Sequence, residues 1–101
     1  MATAYIREYA DVAVTHSKYA QAGAEPANAD QTVTTSAASA QSAAFGTETR
    51  MIAISTPAAQ AVTAVFGVNP TATVTNCRLP ANSLIFFGVR PGHKVALIDV
   101  T

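Results

Sequence analysis

The chain has 101 residues, half of them hydrophobic, with six basic and six acidic side chains and a formal charge of zero. That length is one domain's worth. The bases Arg7, Lys18, Arg50, Arg78, Arg90 and Lys94 are scattered, which excludes nucleic acid as a main partner because phosphate binding needs a clustered basic surface. Cys77 is the only cysteine, so neither an intrachain disulfide nor a multi-cysteine zinc site can form.

No apolar run approaches the roughly 20 residues of a membrane span. The N-terminus lacks the basic segment and apolar core of a secretory signal, so the protein is expected to be made and kept in a cytoplasm, or assembled there. Four Phe, three Tyr and no Trp leave an Ala-rich core with few large side chains. Such a core is thin, and surface buried against partners would add to it.

Residues 2–10 alternate Tyr5, Arg7 and Tyr9 with Ala4, Ile6 and Glu8, the period of a strand. Residues 11–15 continue it after a bend, with Val12 and Val14 on one face. Residues 16–30 show no apolar period and contain Gly23 and Pro26, so they read as an extended loop or arm. Tyr19 is suited to anchor such an arm, since an aromatic ring offers much contact area for few frozen torsions.

Residues 31–35 form a β-branched run around Val33, and residues 42–45 read as a further strand before a turn at 46–49. From residue 51 onward, short apolar runs at 51–55, 61–66, 84–89 and 94–100 are cut by Pro and Gly at near-regular intervals. This spacing predicts antiparallel strands of a sandwich or barrel. Ile52 and Ile54 share one face, Met51, Ala53 and Ser55 the other. Val62, Ala64 and Phe66 oppose Thr63, Val65 and Gly67.

Thr71, Thr73 and Thr75 would line one face of a fifth run at 72–79 as a threonine ladder. Arg90-Pro91-Gly92-His93 is a turn, with Pro pre-set for its second position and Gly able to take positive φ. Leu84 and Phe86 oppose Ile85, Phe87 and Val89, so that strand is apolar on both faces. The last run is nearly so. The fold class is therefore all-β, an antiparallel β-sandwich, jelly-roll-like or a partly open barrel, with an extended N-terminal arm. Residues 1–30 make the N-terminal strand and arm, residues 31–101 the sandwich. Removal of the arm is expected to leave the sandwich folded.

Converging polar groups for catalysis are missing from the pattern. Glu8 and Asp11 point to opposite faces of a strand, so no paired-carboxylate motif forms. Asp99 lies in an apolar run and is expected to pair with Arg50 or Lys94. Cys77 reads as a small semi-buried strand residue, and His16 and His93 as isolated surface residues. There is no phosphate loop, HExxH, GxSxG or EF-hand loop. The chain is expected to be no enzyme and to need no cofactor or metal.

Several stretches together resemble a known group. They are Phe66-Gly67-Val68-Asn69-Pro70-Thr71-Ala72-Thr73, the turn Leu79-Pro80-Ala81-Asn82, the aromatic strand Phe86-Phe87-Gly88-Val89, and Pro91-Gly92-His93-Lys94-Val95. Ala24-Glu25-Pro26 leading to Gln31-Thr32-Val33 adds to the likeness. The pattern resembles small β-rich structural proteins of tailed bacteriophage virions. The resemblance implies a non-enzymatic sandwich on the capsid surface, a decoration (cement) protein assembled in the host cytoplasm.

On that reading the partners are the major capsid protein and copies of the chain itself, as a homotrimer, with no nucleic acid and no membrane. A neck, tail or fibre-base component is the alternative in the virion, and a carbohydrate- or ligand-binding sandwich the alternative outside it. The contact residues expected from the sequence are Tyr5, Ile6, Tyr9, Tyr19 and Pro26 in the arm. In the apolar strands they are Leu84, Phe86, Phe87, Val95 and Leu97.

Overall fold

Alternation decides the first sheet. Along β1 (Ala2–Tyr9) the even-numbered side chains Ala4, Ile6 and Glu8 turn inward and are buried, while Thr3, Tyr5 and Arg7 face outward. The computed structural model describes residues 2–15 and 18–100. After β1 come β2 (Val12–Thr15), β3 (Lys18–Gly23), β4 (Ala29–Thr35), β5 (Ala40–Gln41) and β6 (Met51–Ser55). They are followed by β7 (Val62–Gly67), β8 (Cys77–Leu79), β9 (Leu84–Gly88) and β10 (Lys94–Asp99). The described residues contain no helix.

One four-stranded sheet has the order β4-β1-β6-β9 and a second the order β5-β10-β7-β8, and every ladder is antiparallel. The expected antiparallel β-sandwich is what forms. Between the sheets Ala4, Ile6, Val33, Ile52 and Ile54 meet Val62, Ala64, Leu79, Val95 and Leu97. Each large aliphatic side chain buried there contributes about 1.5–3 kcal/mol. Phe66 and Phe87 close one side of this core, their ring centres 5.0 Å apart across the two sheets. The alternation expected for Met51–Ser55 and for 61–66 matches this division of faces.

The outer face of the second sheet is covered by the chain itself. Thr63 is fully buried there and donates through Oγ1 to the Thr73 carbonyl at 2.6 Å. The Ala72 amide donates to Ser39 Oγ at 2.9 Å, and Gln41 Nε2 to the Pro70 carbonyl at 2.7 Å. This overturns the threonine ladder, since residues 70–76 form an irregular cover instead of a strand. Thr73 and Thr75 cluster at a turn, where Asn76 Oδ1 accepts from the Thr73 amide at 2.6 Å. A side-chain acceptor at this position competes with a ladder for the backbone.

Turns at 79–83 and 90–93 hold the sheets in place. Thr56 Oγ1 donates to the Pro80 carbonyl at 2.7 Å and accepts from the Ser83 amide at 2.8 Å, clipping the end of β6 to the β8–β9 turn. Asn82 takes the left-handed conformation there, φ 53°. The Arg90–His93 turn is as expected: Gly92 has φ 80° and the His93 amide donates to the Arg90 carbonyl at 3.2 Å.

Three expectations for the first half change. Residues 18–23 are a strand, paired with β2 in a hairpin whose register shifts between Val12 and Val14. None of the described side chains of this ribbon joins the core between the sheets. The expected strand at 42–45 is instead the two-residue β5 followed by an irregular run, although Ser42 and Phe45 still donate to the Val95 and His93 carbonyls, each at 2.8 Å.

The boundary at residue 30 does not follow the sheet either. β1 pairs with β4 on one side and β6 on the other, so the N-terminal strand is an inner strand of the sandwich. The β2–β3 hairpin is the part of these thirty residues that lies outside both four-stranded sheets, and its base closes through the Ala24 amide donating to the Asp11 carbonyl at 3.0 Å.

Candidate functional site

The second sheet's outer face is covered by residues 70–76, whereas the outer face of the first carries exposed side chains. Cross-strand pairing places Thr32, Tyr5, Ser55 and Leu84 in one row and Asp30, Arg7, Ala53 and Phe86 in the next. A hollow of about 620 Å³ opens over these rows, and a second of about 330 Å³ flanks Tyr5 on the side of Ala2 and Pro57–Gln60. Tyr5 is 60% exposed and Leu84 62% exposed, among the most exposed large apolar side chains of the described residues. Both stand on rigid strands, so they cannot fold away from water.

The β2–β3 hairpin walls the other end of this face. Gly23 presses on the Tyr9 ring so closely that a Cβ there would overlap it. Tyr9 is buried beneath it with Met51 and Ala53, beside Phe86 at a ring separation of 6.4 Å. The Tyr9 hydroxyl donates to Glu25 Oε2 at 2.9 Å. Burial first, and then this bond to a carboxylate, push the phenol's pKa above its ordinary value.

Arg7 grips Asp30 through two nitrogens, at 2.7 and 3.2 Å, and Glu25 at 3.3 Å. Asp30 and then Glu25 hold the guanidinium above its usual pKa. These exposed pairs add little stability. They do fix three charged side chains at the rim of the shelf, with one carboxylate in excess.

One carboxylate is buried. Glu8 points into the sandwich, where Oε1 accepts from the Gly46 amide at 2.9 Å and Thr49 Oγ1 at 2.8 Å, and Oε2 from Gln31 Nε2 at 3.0 Å. Its acceptor positions are committed to holding the 46–49 turn and β4. This is a structural anchor. Among the described residues no three His, Cys, Asp or Glu gather where they could hold a metal ion.

The structure scatters the contact residues expected from the sequence. Tyr5, Leu84 and Phe86 meet on the shelf, and Pro26 is exposed at the turn after the hairpin, following a cis peptide bond. Ile6, Val95 and Leu97 have no surface to offer, because their alternation turns them into the core. Tyr9 is covered by the hairpin, and Phe87 faces inward against Phe66. The side chain of Tyr19, like His16, lies outside the described residues.

Two further expectations fail. Asp99 meets neither Arg50 nor Lys94: its Oδ1 is buried with no hydrogen-bond partner among the described residues, while Arg50 donates to the Thr47 and Thr49 carbonyls. Cys77 is exposed instead of semi-buried. Sequence reasoning missed Arg7, Asp30, Thr32, Ala53 and Ser55 as parts of one surface. Period-two alternation already separated their faces, but only the strand order puts them side by side. Comparison with known protein families, with curated proteins and with solved structures gives no match.

Proposed function

We propose that the chain is a structural protein of a tailed-phage virion, a capsid decoration protein that binds the lattice of the major capsid protein and helps hold the head together. The observation that carries this reading is the pair of exposed side chains Tyr5 and Leu84, with the partly buried Phe86 beside them, on a sheet whose opposite face is the core. Contiguous apolar surface with a polar rim is the physical mark of a docking face for protein.

A standard interface takes about 800 Å² from each partner, roughly one-seventh of the 5745 Å² that this chain exposes. The zero net charge and few ionisable groups suit a protein that packs among many copies and not one that must stay dispersed. The likeness of the turn and strand segments to tailed-phage structural proteins supplies the identity of the partner.

Quantitative mass spectrometry of purified particles tests the proposal. Copies in fixed ratio to every capsomer are the expected result. A single ring's worth of copies moves the protein to the neck or tail, and its absence from the particle overturns the reading.

A further inference from the structure

β9 is an unprotected edge. The other edges of the two sheets are blunted: β5 has two residues, β8 has three, and β4 carries Asp30 and is tied to the 43 region through Gln31, whose Oε1 accepts from the Ala43 amide at 2.9 Å. β9 is five residues long, Leu84-Ile85-Phe86-Phe87-Gly88, with no charge, no proline and no shift in its register with β6. A strand of that kind is a template for another strand.

The phase of the ladder says which groups are free. The Val89 amide donates to the Arg50 carbonyl at 2.9 Å and the Thr56 amide to the Ser83 carbonyl at 2.8 Å. In an antiparallel pair, hydrogen-bonded and non-bonded residue pairs alternate. Ile85 and Phe87 therefore direct their backbone groups at β6, and Leu84, Phe86 and Gly88 direct theirs away from the sheet.

We propose that this edge pairs with β9 of a second copy of the chain, antiparallel about a two-fold axis through Phe86. Phe86 then lies beside Phe86 of the second copy, and Leu84 beside Gly88 of the second copy, each pair exchanging both its backbone hydrogen bonds. The side chains fit this register. Leu84 is 62% exposed, and a Cβ placed on Gly88 would meet nothing within 4 Å. The protruding leucine of each copy enters the open space over the other's glycine. With no charged residue on the strand, the two copies meet without like-charge repulsion. The two first sheets become one continuous sheet, and their two shelves lie on the same side. None of this rests on the virion assignment.

Light scattering on the purified protein tests the pairing. The expected mass is twice 10.4 kDa, and Gly88→Pro, which removes an outward-directed amide donor that the pair uses at both ends, raises the dimer dissociation constant at least about tenfold with the thermal transition kept. In a Cys77→Ser background, Phe86→Cys is expected to form an intermolecular disulfide under mild oxidation, because facing residues of a bonded pair have Cα atoms about 5.5 Å apart. Leu84→Cys is expected not to, since its own counterpart sits four residues away along the ladder. A mass of one chain or of three, an unaffected Gly88→Pro dimer, or equal cross-linking of the two cysteine variants overturns the proposal.

Discussion

Removing residues 1–30 is expected to abolish cooperative folding. The deletion takes out an inner strand, so β6 loses its whole ladder from Tyr5–Ser55 to Tyr9–Met51, and β4 loses its only partner strand as well as its first two residues. It also removes Ala4 and Ile6 from the centre of the core. The side chain of Ile6 alone is worth about 1.5–3 kcal/mol, and the orphaned backbone groups of two strands cost more. Against a total stability of roughly 5–15 kcal/mol, nothing is left.

Excising only residues 12–23, with a short glycine linker from Asp11 to Ala24, has a different expected result. The chain already closes at that point through the Ala24–Asp11 bond, so the sandwich is retained and Tyr9 becomes exposed. Circular dichroism melts distinguish the two variants. A sharp transition in the 1–30 deletion would mean that the sheet can be rebuilt without β1.

The second large effect is at Glu8. Replacing it with alanine strands the Gly46 amide, the Thr49 hydroxyl and one donor of Gln31 in a buried place. Unpaired buried groups cost about 1–3 kcal/mol each, partly relieved where water enters. A loss of about 2–4 kcal/mol is expected, which lowers Tm by roughly 10–20 °C in a domain of this size. Glu8→Gln keeps the volume and the acceptor for Gly46 and Thr49, but turns a donor toward Gln31, so about half of that loss is expected. Equal Tm values for Glu8→Ala and the parent chain would mean that the 46–49 turn is held by other contacts.

Much of this architecture is legible in the residues. The period of two sorts Ile52 and Ile54, and Val62, Ala64 and Phe66, onto the face between the sheets, because the period of a strand is local. Pro91-Gly92 reports its turn for the same reason. The β3 strand is not legible, because Lys18–Gly23 reads KYAQAG, small and polar residues with no apolar period. The threonine ladder misleads because Asn76 captures the Thr73 backbone, a competition that alternation does not record.

The shelf is half legible. Tyr5, Leu84 and Phe86 stand out as apolar residues on outward faces, but Val95 and Leu97 stand out equally and prove to be core. Their strand is apolar on both sides because residues 70–76 cover the outer face of the sheet that contains it. Only tertiary structure separates a face covered by the chain's own loop from one left open.

That open face is the surface the proposed function requires. Tyr5→Ser with Leu84→Ser removes its two most exposed anchors at positions where substitution barely touches stability. The direct measurement is the binding of this double variant, against the parent protein, to purified capsids that lack the protein. A loss of affinity of about a hundredfold or more, with an unchanged thermal transition, is expected, since anchor residues of an interface contribute about 2 kcal/mol or more each. A folded variant that fills the lattice as the parent does would contradict it.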